Sequence, residues 1–199
     1  MGSMTRTMGD STNLAAIPLT VNIAAAYADG HLGVATPAQV EARFPHAKYG
    51  QVWIDATGAA PHAQVRDWET GDKAGSLQQW VTDHNTAAGR KDAVIYCNRD
   101  TIAEVRQLTG TQILGTDYWL WVATLDGTLF GPQQYPHVIA CQIKGASLTG
   151  GDWDMSLVFD DTFWQPATPP PVVVPPAPQV TRPQAVSALS VVTAYVAAH

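Results

Sequence analysis

Short apolar runs alternating with stretches of helical spacing dominate the hydrophobic pattern of this chain. Residues 21–27 (VNIAAAY) end at Asp29-Gly30 and predict a buried strand opening into a loop. Further strands are predicted at 51–55 (QVWID), 63–68 (AQVRDW), 93–97 (AVIYC), 118–123 (YWLWVA) and 137–142 (HVIACQ), with a last extended piece at 153–159. Three helices lie between them. Thr36-Pro37-Ala38-Gln39 carries a capping threonine, a proline at the first helical position and a glutamine at the third, and this helix stops by Phe44-Pro45. Ser76 opens a second helix with Leu77, Trp80, Val81 and His84 on one face and Gly89 at its close. Asp100 is expected to cap a third, carrying Ile102, Val105 and Leu108 and ending at Gly110.

Near-continuous apolar strands separated by helices indicate parallel βα units in an α/β fold. A TIM-like β/α barrel is the first choice and an open doubly wound sheet the second. No G-x-G-x-x-G or G-x-x-x-x-G-K-[ST] follows a strand, so an open sheet would lack its commonest use. The span from Val21 to Trp164 is short for eight full βα units. The expectation is a reduced barrel, with some helices shortened or missing, followed by a proline-rich tail.

The two ends differ from this body. Met1-Gly2-Ser3-Met4 reads as an appended leader ahead of a natural start, and segment 1–19 is assigned outside the barrel, which is set at 20–165. No apolar stretch or small-residue cleavage site marks a secretion signal there. Residues 166–183 hold eight of the 14 prolines and predict an extended spacer. A ligand for a proline-reading domain is the lesser alternative. Residues 184–199 form a short apolar tail with roughly helical spacing, and a further domain or partner beyond the spacer is one implication.

Composition narrows the function. Eleven Lys+Arg stand against 17 Asp+Glu, a net charge of −6, which argues against nucleic acid as a partner. No run is long enough for a membrane span. Two cysteines, Cys97 and Cys141, exclude a disulfide scaffold and a four-thiolate zinc site, and both follow apolar residues as buried, inert thiols would. The six histidines show no ligand spacing, so neither metal nor cofactor is expected.

In parallel α/β folds the chemistry gathers at the carboxyl ends of strands. The ionisable residues there are Asp29, Asp55, Asp67, Glu69 and Asp154. Glu41 and Glu104 fall in predicted helices, so Glu69 alone of the three glutamates ends a strand. Asp67 and Glu69, two residues apart, project to the same side, with Trp68 to the other. Two neighbouring carboxylates raise one another's pKa, so that one can serve as an acid while the other stays charged, the division of labour in glycoside hydrolysis. A pair of solvated loop carboxylates is the alternative reading. Seven tryptophans suit a sugar ligand, although most belong to the core; Trp121 near its strand end and Tyr27 just before Asp29 are the better candidates for ligand contact.

The ordered set Tyr27-Ala28-Asp29-Gly30, Asp67-Trp68-Glu69-Thr70-Gly71-Asp72, Val94-Ile95-Tyr96-Cys97-Asn98, Trp119-Leu120-Trp121-Val122-Ala123, Ala140-Cys141-Gln142 and Asp152-Trp153-Asp154 resembles the family 25 glycoside hydrolases, lysozymes of bacteria and phages. It is most similar to a divergent branch from actinobacteria and their phages. The resemblance implies a TIM-like barrel that cleaves the β-1,4 bond after N-acetylmuramic acid in peptidoglycan. It implies Glu69 as general acid/base, Asp67 as the assisting carboxylate, Asp29 as the acid ending the first strand and Asp154 as the acid of the last, with Tyr96 and Gln142 joining Tyr27 and Trp121 around the glycan. The family's opening Gly-Val-Asp-x-Ser next to the N-terminus is not matched in this reading. Two functions stay open: an active wall hydrolase, phage-derived or released by another route, and a non-catalytic wall-binding or structural domain of a virion or injection device.

Overall fold

The computed structural model describes residues 6–29, 34–45, 51–69 and 73–160. Its first compact unit runs Met1–Pro166; the proline-rich spacer and apolar tail expected at 166–199 lie outside the described residues.

Eight strands close a barrel in chain order: β1 (Arg6–Asp10), β2 (Ile23–Tyr27), β3 (Gln51–Asp55), β4 (Val65–Asp67), β5 (Ala93–Asn98), β6 (Tyr118–Ala123), β7 (Val138–Lys144) and β8 (Asp154–Val158). Neighbours from β1 to β7 are parallel. The fold is thus the reduced TIM-like α/β barrel expected, with two differences. Segment 1–19, assigned outside the barrel, supplies its first strand. The last strand is antiparallel to both its neighbours, β7 and β1.

Among the described residues, four of the eight strands are followed by an α-helix. α1 (Pro37–Arg43) follows β2, α2 (Leu77–Ala88) follows β4, α3 (Ile102–Leu108) follows β5, and α4 (Ala146–Thr149), a single turn, follows β7. Local chemistry sets these helices. Thr36 and Gln39 close a reciprocal capping box on α1, and the Ser76 hydroxyl accepts the Gln79 amide at the start of α2. Gly89 ends α2 in the left-handed conformation, φ 65°. Asp100 does not cap α3: it lies in a 3-10 turn (Arg99–Thr101) that leads directly into the helix.

Period-two alternation divides each strand between two apolar layers. Met8, Ile23, Ala25, Val52, Ile54, Val65, Val94, Trp121 and Val158 fill the lumen. Ala93, Ile95, Cys97, Leu120 and Val122 face outward against Leu77, Trp80 and Val81 of α2 and Ile102 and Val105 of α3. Burying each such aliphatic side chain contributes about 1.5–3 kcal/mol. β1 packs outward without a side chain: a methyl on Gly9 would stand 2.8 Å from Ile17, 3.1 Å from Val21 and 3.2 Å from Trp153. Both cysteines are buried and free, and burial pushes the Cys97 thiol up to about 12. Among the described residues, no helix is long and apolar enough to cross a membrane.

Candidate active site

The parallel strands end on one rim of the barrel, and the reversal of β8 brings its first residue to that same rim. Asp10, last in β1, is the register partner of Asp154, first in β8. Directly opposed residues in an antiparallel pair have Cα atoms about 4.5–5.5 Å apart. Asp67 ends β4 and is the register partner of Tyr96 in β5, while Tyr27 ends β2. Each shares the inward parity of its strand: Asp10 with Met8, Tyr27 with Ile23 and Ala25, Asp67 with Val65, Asp154 with Val158.

Electrostatics ties these groups together. The Asp10 carboxyl is held well above the usual carboxylate range, first by burial and then by the charges of Asp154, Asp67 and Glu69. Its Oδ2 is buried and accepts no hydrogen bond from the described residues. The Tyr27 hydroxyl is pushed up by burial and then by Asp10, Asp67, Glu69 and Asp154. Tyr96 is pushed up by burial and then by Glu69, Asp10 and Asp67. Four acids and two tyrosines therefore lie within one another's field. Glu69, half-buried and just beyond β4, is more accessible than Asp67, which is 1% exposed.

Beside Asp67 the lumen is aromatic. Tyr96 meets Trp121 edge-on, with ring centroids 5.0 Å apart, and Trp121 Nε1 donates to Ser156 Oγ at 3.0 Å. Trp121, expected to touch ligand, is 1% exposed and lies beside Tyr96 as its register partner on the next strand. Gln142 is buried in the same layer of the barrel, while Tyr27 is half-buried.

Arg66 holds β4 in place from the outer side. Its Nη1 donates to the carbonyls of Asp55 (2.9 Å) and Asp67 (2.6 Å), and its Nη2 donates to the Ala74 carbonyl (2.9 Å). One guanidinium thus ties the ends of β3 and β4 to the far side of the segment that carries Glu69. Trp68 points outward, as the spacing predicts, beneath this guanidinium and with its Nε1 donating to Glu104.

Asp29 is not part of the cluster. β2, which it follows, is the second strand rather than the first. Its carboxylate accepts the Ala56 amide (2.8 Å) and the Thr57 hydroxyl, which fixes the loop after β3. Burial raises its pKa, but hydrogen bonds from the Thr57 side chain and the Ala56 backbone outweigh that and hold it below the usual range. The acid at the end of the first strand is Asp10, which the sequence reading left in the N-terminal segment.

No family model matches this chain, and no curated protein sequence matches it. Among solved structures it is similar to an uncharacterized protein of B. stearothermophilus, known from a 1.07 Å crystal structure. That likeness has a TM-score of 0.55 at 11% identity, over 77% of this chain and 95% of the other. It is a likeness of fold. A second structure, the crystal structure of the CTP1L endolysin, aligns with a TM-score of 0.48 at 16% identity, over 78% of this chain and 67% of that one.

The rim between β6 and β8 carries one strained residue. Leu125 has φ 60°, a conformation that costs a bulky side chain about 1–2 kcal/mol, and it is 42% exposed, so burial offsets little of that. The turn around it is over-determined. The amides of Thr124 and Gly127 donate to Gln142 and Ile143 of β7, Asp126 accepts the Thr128 amide, and the Thr124 hydroxyl donates to the Thr128 carbonyl. Among the described residues, no group of three or more His, Cys, Asp or Glu is placed to hold a metal ion.

Proposed function

We propose that the protein is a glycoside hydrolase of the muramidase type, cleaving the β-1,4 bonds of the peptidoglycan glycan strand at the bacterial wall. The observation that carries this reading is the gathering of Asp10, Asp67, Glu69 and Asp154, with Tyr27 and Tyr96, at one rim of the barrel. Glycosidic cleavage needs an acid for the leaving oxygen and negative charge near the anomeric carbon, where an oxocarbenium-like transition state develops positive charge. Glu69, half-buried just beyond β4, gives its proton to the leaving oxygen as the acetamido carbonyl oxygen attacks the anomeric carbon, and in the second step it takes a proton from the water that attacks that carbon and opens the new ring. Asp67, deeper and directly beside Tyr96, orients the acetamido group of the sugar being cleaved. Asp154 adds negative charge at the same rim. Asp10, whose acid form is favoured by burial, sits among them as a neutral donor and limits the mutual repulsion. Tyr27 offers a ring and a hydroxyl to the glycan.

The test is turbidity clearing of purified actinobacterial peptidoglycan, wild type beside Glu69→Gln. Loss of the acid lowers the rate by roughly 10²–10⁴-fold with folding and wall binding retained. Equal clearing by both proteins would remove Glu69 from the mechanism. Binding without clearing by either would replace hydrolysis with a wall-binding role.

A further inference from the structure

The residues on either side of Glu69 meet at one carboxylate that lies outside the acidic cluster. Glu104 stands on α3 between Ile102 and Val105, which are buried against β5. Its Oε1 accepts the Trp68 indole N–H at 3.3 Å, and its two oxygens accept the Lys73 ammonium at 2.9 and 2.7 Å. Trp68 immediately precedes Glu69, and Lys73 follows it four residues on. The Trp68 ring is buried, and its amide donates to the Tyr96 carbonyl of β5 at 2.8 Å. α3 follows β5, so Glu104 belongs to the same unit as Tyr96. Glu69 is in turn the first charge, after burial, that raises the Tyr96 hydroxyl. The Lys73 bond first, with the Trp68 bond after it, outweighs desolvation and holds the Glu104 carboxyl below its usual range, so the acceptor is ionised at neutral pH.

We propose that Glu104 is a positioning residue for Glu69: by holding Trp68 and Lys73 to α3 it sets the reach of the Glu69 carboxyl relative to Tyr96 and the glycosidic oxygen. The inference rests on the glycan reading above and adds to it a residue that touches no substrate. Two clamps are nested around the acid. Arg66, 1% exposed, holds the outer pair, the carbonyls of Asp67 and Ala74. Glu104 holds the inner pair, and its side chain and that of Lys73 are 39% and 32% exposed, so their ion pair adds little to folding. Catalytic geometry is less forgiving than stability: a misplacement of about 1 Å can cost roughly 10²-fold in rate. A weak, half-open contact can therefore matter to the reaction while the fold hardly registers it.

The test separates position from folding and from binding. Hydrolysis of soluble, peptide-free glycan strands from peptidoglycan, read as new reducing ends, is compared for the full chain and for Glu104→Ala, Glu104→Gln and Lys73→Met. Thermal unfolding and NMR relaxation of the backbone amides are measured on the same proteins. Glu104→Ala lowers kcat roughly 10-fold with KM within about 2-fold of wild type. Its Tm changes by no more than about 4 °C. The order parameter of the Glu69 amide falls from about 0.85 towards 0.6, while that of Tyr96 is unchanged. Glu104→Gln, which keeps an acceptor for Trp68 but loses the ion pair, lies between wild type and Glu104→Ala, as does Lys73→Met. The inference is overturned if Glu104→Ala keeps the wild-type kcat, if its KM rises with kcat unchanged, or if Tm and order fall throughout the barrel. If the wild type releases no reducing ends, the hydrolytic reading falls and the Glu69 amide decides the clamp: lost order confined to it in Glu104→Ala supports the clamp, and unchanged order overturns it.

Discussion

Two aspartates end neighbouring regions of this barrel, both buried, and their surroundings are opposite. Asp55, at the end of β3, faces outward and is fully engaged. It accepts the amides of Thr57 (3.1 Å), Gly58 (2.6 Å) and Ala60 (2.9 Å) and the indole N–H of Trp80 (2.7 Å). Asp10, at the end of β1, faces the lumen, where Oδ2 accepts nothing from the described residues and the nearest charges are carboxylates. Burying a charge is tolerable when donors surround it, as around Asp55. Around Asp10 the same burial is uncompensated and favours the protonated acid. The first arrangement holds a loop and a helix in place; the second stores an unfavourable interaction, which persists where chemistry uses it. Position at a strand end does not separate the two residues. Facing direction and donors do.

The largest effect that tests this contrast is on Asp55. Asp55→Ala leaves an indole and three amides without their acceptor, each costing about 1–3 kcal/mol when buried. Calorimetry should therefore record a fall in melting temperature of roughly 10 °C. The activity of the protein that remains folded should stay near wild type. A variant as stable as wild type would mean that the outer network is incidental.

Asp10→Asn should do the reverse, on a smaller scale. An acid whose folded pKa lies above its unfolded value of about 3.9 contributes nothing below that pH, where both states hold the proton. As pH rises through the gap the unfolded state loses the proton first, so the wild type loses stability there. The asparagine variant lacks this term. Unfolding curves should therefore converge near pH 4 and separate towards pH 7, with Asp10→Asn equal or more stable. If Asp10→Asn is less stable at pH 7 than at pH 4 relative to wild type, the lumenal cluster is not the strained region described here.

The same contrast explains what could be read from the sequence. Apolar alternation was enough to locate β2, β3, β5, β6 and β7 to within a few residues, because their lumenal and outer layers are both aliphatic. It passed over β1, where Met8 is the one apolar side chain in Arg6–Asp10 and Gly9 takes the outward place that a larger residue could not occupy. Losing β1 shifted the strand count, so that Asp29 was placed at the end of the first strand, where Asp10 lies. The direction of β8 was equally hidden. Nine residues join β7 to β8 and nine join β3 to β4, yet the first pair is antiparallel and the second parallel. The Asp67/Glu69 pair was legible because its cue, two acids flanking an outward tryptophan, is local. Leu125 carried no cue at all: its strain lies in a backbone angle, not in the residue type.

The central claim is that the lumenal rim breaks glycan, and the reducing ends it creates test that most directly. Purified peptidoglycan is digested with wild type and with Glu69→Gln, reduced with borohydride, and the new ends are identified by mass spectrometry. The account predicts reduced muramic acid ends with wild type, and their near absence with Glu69→Gln. New glucosamine ends, new peptide amino termini, or no new ends with wild type would contradict it.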